Sequence, residues 1–208
     1  MSDLHHPLLA GTYDRLTAPA EWLWFSDQRR HLAEELEGRV LDLGAGTGAM
    51  LPHYDREADG PTILAVEPDP AMRRRAIGRA ASLDLDVTIV AADGAALPLR
   101  DDSVDAAVAS MVLCTVRDQA GAIDELARVV RPGGEVRIFE HVAADGWRRR
   151  VQGAVAPAWA RVAGGCRLTR RTGEALLEHP AFEGLEVERL EMAVTPVYPF
   201  VRGRFRRR

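Results

Sequence analysis

The sequence predicts an α/β fold: a mostly parallel, doubly wound sheet with helices on both faces. Three observations predict it. Short apolar runs alternate with amphipathic stretches from about residue 38 to 142, the rhythm of βαβ units. The first run, "RVLDLGAGTGAM", passes from a strand through a glycine turn into a new helix start. Lastly, Pro and Gly clusters fall between the runs and not within them.

In chain order, Ser26 to Leu36 reads as a helix capped by Ser26 and ended by Gly38. "TILAVEP" is apolar on both faces, as a buried parallel strand is. "DPAMRRRAIGRAASL" is helical, with Asp69 as its cap and Pro70 at the first position. "DVTIVAAD" and "SVDAAVAS" are the third and fourth strands, and "GAIDELARVV" is the helix after them. Arg131-Pro132-Gly133-Gly134 stops that helix, and "GEVRIFEHV" is the fifth strand. Right-handed crossovers then place the helices on both faces.

The last third departs from this rhythm. "GWRRRVQGAVAPAWARVAGGC" reads as a helix broken near Pro157, and "TRRTGEALLEHP" as a second helix. "LEVERLEMAV" alternates as a strand, and "PFVRGRFRRR" alternates apolar residues with Arg, the pattern of an edge strand. With 208 residues and no repeat or low-complexity linker, one domain spanning 1–208 is expected. Within it, 1–37 reads as N-terminal lid helices, 38–142 as a cofactor-binding core, 143–182 as acceptor-side helices and 183–208 as C-terminal strands.

Composition excludes several classes. The formal net charge of -4 gives no basic surplus for tracking phosphates, so no nucleic-acid partner is expected. All 27 basic residues are Arg, so no lysine is available for Schiff-base chemistry. Cys114 and Cys166 lie far apart and have no metal spacing, so no metal is expected. A secretion signal and an apolar run of about 18 residues are both missing. A cytoplasmic protein without an integral membrane segment, monomeric or homodimeric, is the expectation.

The glycine turn admits two cofactors. Gly44, Gly46 and Ala49 satisfy the dinucleotide fingerprint, and Glu67 lies at the distance of a ribose contact. An NAD-dependent oxidoreductase is therefore one reading. Three features oppose it. Asp42, two residues before Gly44, suits a sulfonium and an ammonium and would repel a pyrophosphate. Asp93 suits an adenine amino group. No second domain remains to supply a nicotinamide-side pocket. A non-catalytic cofactor-binding module is the third reading.

The run from Val40 to Gly48, "EPDPAM", "AADGAALPLRDDSVDAAVAS" and "RPGG" resemble the class I S-adenosylmethionine-dependent methyltransferases, type 11 group. The resemblance implies a Rossmann-like sheet of seven strands in the order 3-2-1-4-5-7-6, with strand 7 antiparallel. It implies S-adenosyl-L-methionine as the cofactor, with S-adenosyl-L-homocysteine as the product. Gly44, Ala45, Gly46 and Gly48 would pass under the methionine end with Asp42 nearby. Glu67 would take the ribose hydroxyls, flanked by Pro68 and Met72. Asp93 would take the adenine amino group, Gly94 the adenine edge, and Ser110 and Met111 would line the cofactor.

Further segments, among them "MVLCTVRDQ", "RIFEHVAA" and "PAWARVAGGCRLTRRTGEAL", are similar to bacterial and animal relatives of the microsomal alkyl thiol methyltransferases. The hydrophobic N-terminal anchor of the animal members has no counterpart here. A small-molecule acceptor is implied, with a thiol as the first reading and a quinol or phospholipid-type acceptor as the second.

Ligands gather at the carboxyl ends of parallel strands, where Cys114 and His141 are expected to face the pocket. His141 is the candidate base, because imidazole titrates near neutral pH; it equally reads as a structural histidine. Tyr13, Trp22, Trp24 and Phe25 read either as a lid or as core packing.

Overall fold

The computed structural model describes residues 24–55, 60–83, 85–191 and 199–208. Seven strands form one sheet: β1 (Arg39–Leu43), β2 (Thr62–Val66), β3 (Val87–Val90), β4 (Val104–Ser110), β5 (Val130–His141), β6 (Phe182–Leu190) and β7 (Phe200–Arg207). Their order is β3-β2-β1-β4-β5-β7-β6. The first five pair in parallel, and β7 runs antiparallel to both β5 and β6. Among the described residues five α-helices accompany them: α1 (Ser26–Ala33), α2 (Pro70–Ser82), α3 (Gln119–Val129), α4 (Gly146–Val162) and α5 (Thr172–Glu178).

The sheet buries both faces. On one side Leu41, Leu43, Val136 and Ile138 pack with Leu126 of α3 and Leu176 of α5. On the other, Val40, Val108, Phe139 and Phe200 pack with Leu32 of α1 and Ala80 of α2. Phe25 is part of this second core: its ring meets Phe139 and Phe200 edge-on, each at 5.5 Å. Phe25 is thus packing and not a lid, and Trp24 joins the same cluster. Tyr13 and Trp22 lie outside the described residues. Among the described residues no helix is long and apolar enough to cross a membrane.

Several local expectations change. Ser26 does not cap α1: Phe25 before it is already helical and no side-chain cap bond forms. Gly38 does not end this helix either. The helix stops at Ala33 because Arg137 of β5 reaches across and takes the carbonyls of Leu32 and Glu34, groups the last turn cannot satisfy itself. The Arg131–Gly134 segment does not precede the fifth strand but bulges out of it: Val130 pairs with Val104 before the register resumes at Ala106 and Glu135.

α4 is not broken at Pro157. Pro157 and the Gly153 carbonyl it leaves unbonded are both on an exposed face, where water can serve that carbonyl. The buried Gln152 ties α4 to the sheet by bonding the Val142 carbonyl at 3.0 Å and the Ala144 amide at 2.8 Å.

The Arg-alternating C-terminal segment is not an edge strand. β7 lies inside the sheet and β6 takes the edge. Its arginines tolerate that position because both neighbours offer carboxylates: Arg204 meets Glu135 of β5 at 3.1 Å, and Arg202 meets Glu188 of β6 at 2.5 Å. Opposite charges on adjacent strands stabilise the pairing instead of blunting an edge.

Arg137 gives the fold its clearest test. Replacement by Met leaves two carbonyls of α1 unserved and frees Glu135 from one partner. Urea unfolding of Arg137→Met should show a loss of about 2–3 kcal/mol. A midpoint matching the wild type would mean that α1 does not depend on this contact.

Candidate active site

A cavity of about 560 Å³ opens at the carboxyl ends of β1, β2 and β4. The glycine turn after β1 forms its floor. Gly44 has φ +65, and a Cβ there would stand 2.1 Å from Val112 Cγ2, so only glycine fits. Of the residues expected to hold a cofactor, Asp42, Gly44, Ala45, Gly46, Glu67, Pro68, Met72, Asp93, Gly94, Ser110 and Met111 all line this cavity. Gly48 does not. It faces α2, where a Cβ would approach the Ala76 Cα to 3.2 Å, so its smallness serves helix packing.

Four carboxylates line the cavity: Asp69, which caps α2, and Asp42, Glu67 and Asp93, each held differently. Asp42 is 1% exposed, and the buried Tyr54 hydroxyl lies beside its carboxyl group. Burial raises its pKa to about 7, against the opposing pull of Arg29. Glu67 is oriented by main chain: Oε2 accepts from the Gly46 amide at 2.9 Å and Oε1 from the Asp69 amide at 2.8 Å. Burial pushes its pKa upward too, and these amides oppose the shift. Asp93 is exposed and accepts from the Ala95 amide at 3.0 Å.

Arg29 is a lining residue that the sequence did not reveal. It is 4% exposed and donates to Ser110 Oγ at 2.7 Å, so α1 supplies a buried cation to the β4 end of the cavity. The far wall comes from Thr115 and Arg117 after β4 and from Arg161, Gly164, Gly165 and Arg167 around the end of α4. Gly165-Cys166-Arg167 is tied to the β4 loop by the Arg167 amide, which donates to the Cys114 carbonyl at 2.8 Å.

That loop is shaped by a residue also missed, Glu140. Its carboxyl group is fully buried and accepts from the amides of Val112, Leu113 and Cys114 at 2.7–3.0 Å. Burial drives its pKa well up while the three amides pull the other way. The available signal was a lone acidic residue closing the apolar run "RIFEHV".

His141 and Cys114 do not face the cavity as expected. Both are buried behind its wall, His141 at 6% and Cys114 at 1% exposure. The His141 ring packs on Phe200 at 4.4 Å, and its Nδ1 lies 3.6 Å from Cys166 Sγ. The fold thus brings together two cysteines that sequence spacing had kept apart.

A family model described as "Methyltransferase domain" matches residues 41–138. Human thiol S-methyltransferase TMT1A is 33% identical over 157 residues, which is 73% of this chain and 63% of that protein. The chain therefore spans under two thirds of this relative's length. Demethylmenaquinone methyltransferase of Corynebacterium kroppenstedtii is 34% identical over 125 residues, 60% of this chain and 51% of its own. Among solved structures, a geranyl diphosphate methyltransferase in complex with SAM has a TM-score of 0.73 at 17% identity, covering 95% of this chain and 91% of that one. That likeness is one of fold.

The state of Asp42 is measurable without any ligand. Its folded pKa of about 7 stands above the ordinary value of 3.8, so between these values the folded state binds the extra proton. Stability then falls as pH rises through that window. Urea unfolding from pH 4 to 7 should show the wild type losing stability relative to Asp42→Asn. Parallel curves would place the Asp42 pKa in the ordinary range.

Proposed function

Because the chain belongs to the class I S-adenosylmethionine-dependent methyltransferases, we propose that it transfers a methyl group from S-adenosylmethionine to a small-molecule acceptor, a thiol. The observation that carries this reading is the buried Asp42 carboxyl group on the wall of a glycine-turn cavity, with the Tyr54 hydroxyl and Arg29 nearby. Burial disfavours its charged form. A ligand bearing an ammonium and a sulfonium favours that form again, whereas the pyrophosphate of NAD would be repelled.

The residues present fit the cofactor. Asp42 and the backbone of Gly44–Gly46 take the methionine end. Glu67, its two oxygens already aimed by the Gly46 and Asp69 amides, takes the ribose hydroxyls between Pro68 and Met72. Asp93 and Gly94 take the adenine, and Ser110 and Met111 close the side nearest β4. Bound there, S-adenosylmethionine supplies an electrophilic methyl group on a good leaving group. The protein's own contribution is orientation and exclusion of water.

For the acceptor, Arg117, Arg161 and Arg167 line the same cavity at its mouth. Guanidinium charges favour the anionic form of a nearby acid. Such a field lowers the pKa of a thiol from its ordinary value of about 8.5, so that more of it is thiolate at neutral pH, its proton passing to solvent without a separate base. His141, buried away from the cavity, is not given that part. A phenolic acceptor, with a pKa of about 10, asks more of the same field. The name of the TMT1A relative agrees with a thiol, and that of the demethylmenaquinone methyltransferase keeps a quinol as the second acceptor to test. A cytoplasmic enzyme, monomeric or homodimeric, accompanies this reading.

S-adenosylhomocysteine should raise the melting temperature and NAD should not; stabilisation by NAD alone would falsify the cofactor assignment. Glu67→Gln should weaken S-adenosylhomocysteine binding by about tenfold or more.

A labelled-methyl screen of thiols and quinols should then find turnover with thiols. Arg167→Ala should slow that turnover more at pH 7 than at pH 9, where the thiol ionises unaided. A deficit equal at both values would remove the arginines from the ionisation step, and binding without turnover would leave a cofactor-binding module.

A further inference from the structure

Behind the far wall of the cavity, three separate segments bring soft donor atoms to one buried point. Cys114 follows β4, His141 is the last residue of β5, and Cys166 follows α4. Their exposures are 1%, 6% and 4%. Cys166 Sγ lies 3.6 Å from Cys114 Sγ and 3.6 Å from His141 Nδ1. One ligand atom from each residue lies within 4.8 Å of the other two. We propose that Cys114, His141 and Cys166 bind one soft divalent cation, zinc foremost, and that the bound ion fastens the far wall of the cavity to the sheet.

The distances carry the proposal. Zinc bonds of about 2.3 Å to sulfur and 2.0–2.1 Å to nitrogen, set tetrahedrally, place two sulfurs about 3.8 Å apart and sulfur and nitrogen about 3.6 Å apart. Two of the three edges already have these lengths to within about 0.2 Å. The third, at most 4.8 Å, needs to close by no more than about an ångström.

Packing of small apolar side chains accounts for two buried cysteines. It does not by itself call for an imidazole nitrogen 3.6 Å from one sulfur and within 4.8 Å of the other.

Charge is balanced by this donor set. Two thiolates neutralise the dication, and the imidazole stays neutral, so the buried centre carries no net charge. Binding releases the two thiol protons. The thiols are placed unequally for that release. The sulfur–sulfur hydrogen bond and burial push Cys114 up to about 12, and the same bond lowers Cys166. The ion itself stands in for the proton on Cys114. Leu168, Trp159 and Ala163 supply the apolar shell around the two sulfurs, which limits solvent access to the cation. Among the described residues no further His, Cys, Asp or Glu joins the group. The fourth tetrahedral position is left to a small exogenous ligand such as water or a thiol.

The consequence lies in the wall. Thr115 and Arg117 flank Cys114, and Gly164, Gly165 and Arg167 flank Cys166; all five line the cavity. A cation joining the two cysteines to β5 holds both segments at one distance.

The full chain, stripped with a chelator in anaerobic reducing buffer, is titrated with Co²⁺ and then with Zn²⁺. One equivalent of Co²⁺ should give a thiolate-to-cobalt charge-transfer band with the visible bands of a tetrahedral ion, and Zn²⁺ should abolish them. Cys166→Ser and His141→Ala should each weaken binding by more than about 100-fold, beyond what losing an outer-sphere partner does. S-adenosylhomocysteine binding on the same samples reports the cofactor site separately.

A wild-type protein that shows no thiolate–cobalt band at excess Co²⁺ overturns the proposal. A band that survives both substitutions does so too. The wild-type titration decides the matter even where a variant fails to fold.

Discussion

A parallel sheet ends at its carboxyl edge in loops whose amides no strand can serve, and in this chain buried carboxylates serve them. Glu67 at the end of β2 takes the Gly46 amide of the turn after β1 and the Asp69 amide leading into α2. Glu140 near the end of β5 takes three successive amides of the loop after β4. Asp69 then caps α2 through the amides of Ala71 and Met72. Glu67 and Glu140 each come from the end of one strand and shape the loop of its neighbour, so the cavity keeps its form only while the sheet keeps its order. The desolvation of these groups is opposed by charge-assisted hydrogen bonds, the condition under which a buried carboxylate is tolerated.

Arginine plays the matching part elsewhere in the molecule. With no lysine in the chain, every long cation has a planar fork of donors that can hold several acceptors at once. Arg137 uses it to end α1 from within β5, and Arg204 and Arg202 use it to bind β7 to both its neighbours. Arg29 brings the same group from α1 to the cavity and there bonds Ser110. The aromatic trio of Phe25, Phe139 and Phe200 holds α1 in place for that contact.

Around the cavity, these pairings leave an uneven field. Its floor is acidic and dry at Asp42, while its mouth carries Arg117, Arg161 and Arg167. The cationic donor and the anionic acceptor proposed for this site would match the two halves of that field. Such complementarity orients both partners before any chemistry occurs. It also explains why Cys114 and His141, which a linear reading places in the pocket, are better spent behind it. There they lie among apolar groups and against each other, not against the acceptor.

Local pattern was enough for the parallel strands, the Asp69 cap of α2 and the acidic residues around the glycine turn. Each of these depends on neighbours a few residues away, where side-chain period and turn chemistry act directly. The resemblance to known methyltransferases supplied the strand order, including the antiparallel β7, which the Arg alternation alone had assigned to an edge. Three features depended on the folded chain: the end of α1, the arginines of the cavity, and the meeting of Cys114, His141 and Cys166. In every case the partners are separated by tens of residues or more, from Arg137 reaching α1 to cysteines 52 positions apart. Contacts of that range are chosen by which faces the sheet brings together, and no spacing along the chain records them.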